Sequence, residues 1–353
     1  MGIISSEQLG GSIQQQPAPS RPLLSVVTPA FNEAENLPRF YERLCKTMEL
    51  VDMEWEWLVV DDHSRDGTFE FISGLAKRDS RVKGVRFSRN FGAHTALTCG
   101  LHQAQGDCVA ALAADLQDPP EFIPALLAEW KKGAQVVWAA RHERRGETAA
   151  TIGSARLYYW VMRNVVGMKE MPASGADFFL LDRQVAEAFA HFNEANVSIL
   201  ALLTWMGFRQ AVIGYDKEAR LHGRSGWDLK KKLKLLVDSV TSFSYLPIRF
   251  MSYLGFVVAF LGFLYAGVVI FNAFHGDPVQ GWSSLMVIVL VVGGLQMLMM
   301  GILGEYLWRA LDESRRRPRY MVEATTADGL TAQMKRSGLA GIKDTPAPTG
   351  PAI

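Results

Sequence analysis

Along the first two thirds of the chain, apolar and polar positions alternate between two rhythms. Short apolar runs at 23–28, 57–60, 82–87, 108–114, 135–139, 178–181 and 211–215 have the length of buried strands. Between them apolar residues step at three and four positions. Leu37, Phe40, Tyr41, Leu44 and Met48 do so after the capping-box-like pair Asn32 and Glu35, and Phe69, Ile72 and Leu75 repeat the pattern. Pro119-Pro120 opens another helical stretch at 122–132, and further ones are expected at 152–166, 186–192 and 197–205. Alternation of strand and helix, with a polar loop after each of several strands, predicts an α/β domain built on a mostly parallel, doubly wound sheet.

The rhythm changes at Asp228. Leu229, Leu233, Leu236, Val240 and Phe243 keep helical spacing while Lys230, Lys231, Lys232 and Lys234 fill the positions between, which predicts a basic amphipathic helix lying on an anionic membrane surface. Residues 250–274 are then uncharged and apolar, and 282–308 are apolar apart from Gln296 and Glu305. Each run is long enough to cross a hydrocarbon core of roughly 30 Å, and longer than an ordinary core helix. The linker at 275–281 has no Lys or Arg, whereas Lys230 to Lys234 and Arg249 precede the first run and Arg309, Arg315, Arg316, Arg317 and Arg319 follow the second. Both flanks, and the α/β domain with them, are therefore expected on the cytoplasmic face. Beyond Val322 the chain turns polar and rich in Gly and Pro, and a loose tail is expected.

Composition refines this picture only in part. The 353 residues are 49% hydrophobic and 21% charged, an average that hides the membrane part. The 37 basic and 36 acidic residues give no global attraction to nucleic acid. Cys45, Cys99 and Cys108 have no metal-ligand spacing and suit a reducing compartment. Residues 1–22, rich in Gln, Ser, Gly and Pro, read as a disordered tail without the apolar core of a signal peptide. The expected organisation is this tail, an α/β domain at 23–227, a juxtamembrane helix at 228–249, a two-helix hairpin at 250–308 and a basic segment with a flexible tail at 309–353.

Candidate chemistry sits after the strands, where open α/β sheets bind ligands. Asp115, Gln117 and Asp118 are hard oxygen donors; on an extended segment Asp115 and Gln117 would face one side and share a divalent cation, Mg2+ or Mn2+, able to carry a diphosphate. A solvated turn after a strand is the plainer alternative. Arg141 opens the basic run Arg141-His142-Glu143-Arg144-Arg145, suited to phosphate or to a wet surface. A soluble domain with these features, tied to a membrane hairpin, would bring a water-soluble activated donor to a lipid-borne acceptor.

Several stretches together resemble one family. Thr28-Pro29-Ala30-Phe31-Asn32-Glu33, Asp61-Asp62-His63-Ser64-Arg65-Asp66-Gly67-Thr68, Arg89-Asn90-Phe91-Gly92, Ala114 through Glu121, and Gly301 through Leu307 are similar to the GT-A fold, family 2 glycosyltransferases that load a sugar onto polyprenyl phosphate. These include bactoprenol glucosyltransferases, aminoarabinose undecaprenyl-phosphate transferases and, more distantly, dolichol-phosphate mannose synthases. The resemblance implies that Pro29, Phe31 and Glu33 lie along the nucleoside and that Asp62, with Asp61 beside it, recognises the base. It further implies that Asp115 and Gln117 bind metal and diphosphate, that Arg141 lies near the acceptor phosphate, and that Arg220, with Gly223, Ser225 and Trp227, belongs to a loop over donor diphosphate and lipid phosphate. Asp177 matches a recurring acid without a derived role, a helix cap near Asp182 being the alternative. Two positions depart from the pattern: Ala113 stands where many relatives have the first acid of Asp-x-Asp, and Gly226 where a lysine is common.

The implied reaction needs little acid–base machinery. A phosphate monoester, with its second pKa near roughly 6, is already a nucleophile at neutral pH. A cation on Asp115 and Gln117 would stabilise the leaving nucleoside diphosphate, while Arg141 and Arg220 would screen donor from acceptor as the sugar passes an oxocarbenium-like state with inversion. The expectation is one sugar moved from a nucleotide sugar, a UDP-sugar by analogy with bacterial relatives, to undecaprenyl phosphate at the bacterial inner membrane, for cell-envelope glycan modification. A processive polysaccharide synthase and a non-catalytic membrane partner are the rival readings. Gly293-Gly294 and Gly301 allow close helix packing, so a homo-oligomer is expected.

Overall fold

A computed structural model of the chain describes residues 21–141, 153, 156, 158–172, 175–192, 198–215, 238–241, 243–244, 246–274, 281–315 and 317–326. Its sheet is formed by β1 (Leu23–Ala30), β2 (Glu54–Asp61), β3 (Val82–Phe87), β4 (Cys108–Ala111), β5 (Val136–Arg141), β6 (Phe178–Asp182), β7 (Gln210–Tyr215) and β8 (Val322–Thr325). The spatial order is β7-β5-β6-β4-β1-β2-β3-β8. β4, β1, β2 and β3 are mutually parallel, as are β5 and β7, while β6 and β8 run against their neighbours. This is the mostly parallel, GT-A-like sheet that the alternating pattern and the resemblance led us to expect.

Burial on both faces explains the near-continuous apolar strands. Leu24 and Val26 of β1 and Trp57 and Val59 of β2 enter one core, with α1 (Leu37–Met48), α2 (Thr68–Ala76) and α4 (Ile123–Lys131) packed over them. Val27, Leu58 and Val60 point the other way, under α3 (Ala93–Gln103), α5 (Arg183–Ala190) and α6 (Ile199–Trp205). Trp57 stacks on both Phe40 and Tyr41 of α1, with ring centroids 5.3 and 5.8 Å away. At the start of β4 the chain passes so near β1 that a Cβ on Gly106 would lie 2.6 Å from the Ser25 nitrogen and 2.7 Å from the Leu23 oxygen. Backbone atoms in a paired sheet cannot step aside, so Gly106→Ala should destabilise the fold by about 1–3 kcal/mol. A lowered melting temperature would show it; an unchanged one would mean that the strands can separate.

Several elements differ from the sequence expectation. Asn32 does not cap a helix: its φ is +56°, and α1 starts five residues later behind Asn36. Asn32 is instead used between loops, its N–H donating to Ser64 Oγ and its Oδ1 accepting from Arg65 N. The apolar run at 108–114 forms a strand only over Cys108–Ala111. α3 was not anticipated, because its packed face is made of small residues, Ala96, Cys99 and Gly100, without a large apolar stripe.

The two expected long apolar helices are present as α7 (Leu246–Phe274) and α8 (Trp282–Ser314), α7 beginning four residues earlier and α8 ending six residues later than expected. Leu246–Asn272 and Leu285–Ser314 are long and apolar enough to cross a membrane. Their side chains, Phe260, Phe263, Leu264, Leu298 and Leu303 among them, are exposed, so burial in a protein core does not account for them. The hairpin is tied at its base: Tyr306 Oη donates to the Ser244 carbonyl at 2.9 Å, and Arg309 pairs with Asp238 at 2.6 Å and Glu305 at 2.9 Å. Of the amphipathic juxtamembrane helix, 238–241 is helical and 216–237 lies outside the described residues.

The tail expected to be loose beyond Val322 begins with a strand. β8 pairs antiparallel to β3, with Val322 opposite Phe87 at the carboxyl end of β3. Tyr320 is buried and stacked on Phe87 at 5.0 Å, and Glu323 pairs with Arg86 at 3.0 Å. Tyr215, the last residue of β7, lies opposite Arg141, the last residue of β5. The chain thus leaves for the hairpin, and comes back from it, at the carboxyl edge of the sheet. Val322 follows the end of α8 by eight residues, which can span at most roughly 28 Å.

Candidate active site

The loops at this edge are fastened to one another by backbone–side-chain bonds. Glu33 N donates to Thr68 Oγ1 at 3.0 Å and Ala34 N to Asp66 Oδ2 at 3.1 Å, joining the loop after β1 to the loop after β2. Asp62 joins the latter to the loop after β3: its two oxygens accept from Phe91 N at 2.6 Å and Gly92 N at 2.8 Å. Burial pushes the Asp62 carboxyl above its ordinary pKa, against the effect of those two N–H donors. Asp61, fully buried, accepts from Ser64 N at 3.0 Å and lies 3.3 Å from Arg86; burial raises its pKa as well. Pro29 pairs with Val60 across the sheet, and Phe31 projects from the next loop 47% exposed. Glu33 is half-buried and accepts from Asn36 Nδ2 at 2.6 Å.

After β4 the chain makes a turn, where the sequence reading had assumed an extended segment. Leu116 is buried with φ +60°, so alternation cannot align Asp115 with Gln117. The turn is closed by Asp115 itself, whose Oδ1 accepts from Gln117 N at 3.2 Å, and Gln117 stays half-buried beside it. Asp118 folds back, its Oδ2 accepting from Ala113 N at 3.4 Å.

Arg141 faces Asp177 through Nε and Nη2 in a two-pronged ion pair. Asp177 does not cap α5; Asp182 does, accepting from Gln184 N at 2.9 Å. A residue that the sequence reading did not single out for chemistry, Tyr215, completes the cluster. Its Oη lies 3.1 Å from Asp118 Oδ1 and 2.9 Å from Asp177 Oδ2. Burial first, then the two carboxylates, push this phenol far above its ordinary pKa, so it stays protonated. Its sequence signal, an aromatic ending a short strand, is indistinguishable from a core residue. Arg220 and Ser225, with Gly226 and the run after Arg141, lie outside the described residues.

Asp118 and Asp177 thus meet on the Tyr215 phenol, Arg141 is engaged by Asp177, and Asp115 lies on the same turn as Asp118. A cluster of this sign repels a diphosphate unless a cation intervenes, and one or two carboxylates with an amide, phosphate oxygens and waters are a common shell for Mg2+ or Mn2+. Asp115 and Gln117 would fit such a shell, although among the described residues no three His, Cys, Asp or Glu side chains are arranged to hold an ion unaided.

Comparison with known proteins decides the family. The profile described as Glycosyl transferase family 2 matches residues 25–189. The uncharacterized glycosyltransferase YkcC of Bacillus subtilis is 38% identical over 300 residues, spanning 85% of this chain and 93% of that protein. This chain belongs to glycosyl transferase family 2. Within that family it is similar to the bactoprenol glucosyl transferase of Shigella phage SfV, 36% identical over 85% of this chain and 98% of the other. The prophage bactoprenol glucosyl transferase homolog of Escherichia coli K12 is 35% identical over the same shares. As a family 2 glycosyltransferase the chain carries its polar cluster at the strand ends and its two candidate spans after the matched region.

Proposed function

We propose that this glycosyltransferase moves one sugar from a nucleotide sugar, preferentially a UDP-sugar, to a polyprenyl phosphate, undecaprenyl phosphate in a bacterial inner membrane, with inversion at the anomeric carbon. The observation that carries the reading is the shared edge: the polar loops and both chain connections to the candidate spans lie at the carboxyl ends of the strands. A head group at the bilayer surface is then within reach of a donor held near Asp115, and the basic flanks support a cytoplasmic orientation of this surface.

In this reading Pro29, Phe31 and Glu33 lie along the nucleoside. Asp61 and Asp62 hold the two loops that frame the base. Asp115 and Gln117 would hold a divalent cation, which when bound supplies positive charge to the departing diphosphate. Arg141, with its guanidinium oriented by Asp177, accepts the approach of the acceptor phosphate; Arg220 and Ser225 are assigned to the same phosphate by the resemblance alone. The acceptor is dianionic near neutral pH, so no side chain has to remove a proton from it. What the protein contributes is alignment of two anions and stabilisation of the charge that develops between them.

Membranes containing the full chain, given a panel of labelled nucleotide sugars and undecaprenyl phosphate, should yield a lipid-extractable product with a single sugar in the inverted configuration. A polymer would point to a polysaccharide synthase, retained configuration would discard in-line attack, and nucleotide binding without turnover would favour a non-catalytic partner.

A further inference from the structure

The phenol of Tyr215 lies between two loops whose roles differ. Asp118 belongs to the turn that carries Asp115 and Gln117, whereas Asp177 orients Arg141. With Oη 3.1 Å from one carboxylate and 2.9 Å from the other, the two acidic oxygens cannot be more than about 6 Å apart. Carboxylates so close repel unless a donor stands between them, and a phenol has one proton to give. The ring is held too: it lies 4.7 Å from Phe178, the residue after Asp177, and 5.7 Å from Phe122, just beyond the Asp118 turn. Each loop therefore sends both an acid and an aromatic to this one side chain, which is itself almost fully buried.

We infer that Tyr215 is a positioning residue for the transfer reaction: by sharing one proton between Asp118 and Asp177 it fixes the distance from the donor-diphosphate turn to the Arg141 guanidinium. The inference rests on reading the site as a glycosyl-transfer centre and goes beyond it by saying what keeps its two halves in register. Without the hydroxyl the repulsion between the two acids is no longer bridged, the spacing of their loops widens, and the Arg141 guanidinium moves with Asp177 relative to the donor turn.

The test is a double-mutant cycle on the full-length enzyme in membranes. Tyr215→Phe keeps the ring and its packing and should lower kcat about 10-fold, with KM for the nucleotide sugar within about twofold. In an Arg141→Lys background, where the two-pronged pair is already lost, the same change should cost less than about twofold. Equal losses in both backgrounds, or no loss in the parent, would overturn the inference, since a merely structural hydroxyl acts independently of Arg141. A second pair decides the matter if Tyr215→Phe fails to fold. Asp118→Asn keeps an oxygen that accepts from the phenol and should retain activity within about threefold, whereas Asp118→Leu should fall as far as Tyr215→Phe; equal losses from the two would again overturn it. Failure of the wider reading is seen separately, as a parent enzyme that glycosylates no polyprenyl phosphate. The cycle is then read on hydrolysis of the nucleotide sugar by water, under the same criteria.

Discussion

Asp115→Asn should lower sugar transfer by roughly 10²–10³-fold while the protein remains folded, the cost found when a group aimed at developing charge is removed. The substitution separates charge from shape. Asn keeps an oxygen able to accept the 3.2 Å bond from Gln117 N, so the turn with its left-handed Leu116 is retained. What is lost is the negative charge that would hold a cation against the diphosphate. The apparent affinity for Mg2+ or Mn2+, measured by titrating turnover, should weaken along with kcat, and added metal should restore part of the rate. Full activity in Asp115→Asn would remove Asp115 from the reaction and reduce the turn to a loop of the fold.

Arg141→Ala carries the other large effect, and here stability and chemistry both suffer. Arg141 and Asp177 are less than a fifth exposed, so deleting the guanidinium takes the two-pronged cation from a mostly buried carboxylate that lies beside Asp118 across the Tyr215 phenol. Breaking such a pair from one side costs about 3–5 kcal/mol. Adding Asp177→Asn should recover much of that loss, because the buried negative charge is then gone. It should not recover transfer, which needs the guanidinium itself. Thermal melting in detergent and turnover, measured on the single and double variants, separate the two contributions; a double variant that regained activity would show Arg141 to be structural.

How much of this was legible beforehand follows from where the free energy lies. Strands buried on both faces announce themselves, since Leu24, Val26 and Val27 must all be apolar whichever core they enter. The two candidate spans were legible from the length and apolar composition of their runs. α3 was not, because helix and sheet approach closely there through small side chains that leave no periodic signal. β8 was hidden by its distance along the chain: a four-residue strand gains stability only from β3, some 240 residues earlier, and neither segment reveals the other. The candidate site divides in the same way. Asp115, Gln117 and Arg141 could be named because acids, amides and arginines at strand ends have few structural reasons to be there. The turn at Leu116 defeated the alternation argument, since a positive φ in a leucine has no sequence signature. Asp177 could be singled out by the resemblance but not given a role, since its pairing with Arg141 exists only in three dimensions, and Tyr215 reads in sequence as a core aromatic.

The central claim is that the polar edge of the sheet works on an acceptor held in the same bilayer as α7 and α8. It is tested most directly by reconstituting the full chain in nanodiscs and supplying undecaprenyl phosphate either in those discs or in separate protein-free discs, with labelled nucleotide sugar in solution. The account predicts that labelled lipid forms rapidly in the shared discs and at no more than a background rate in the separate ones. Equal labelling of both populations, or transfer to a water-soluble phosphate at the same rate, would contradict it.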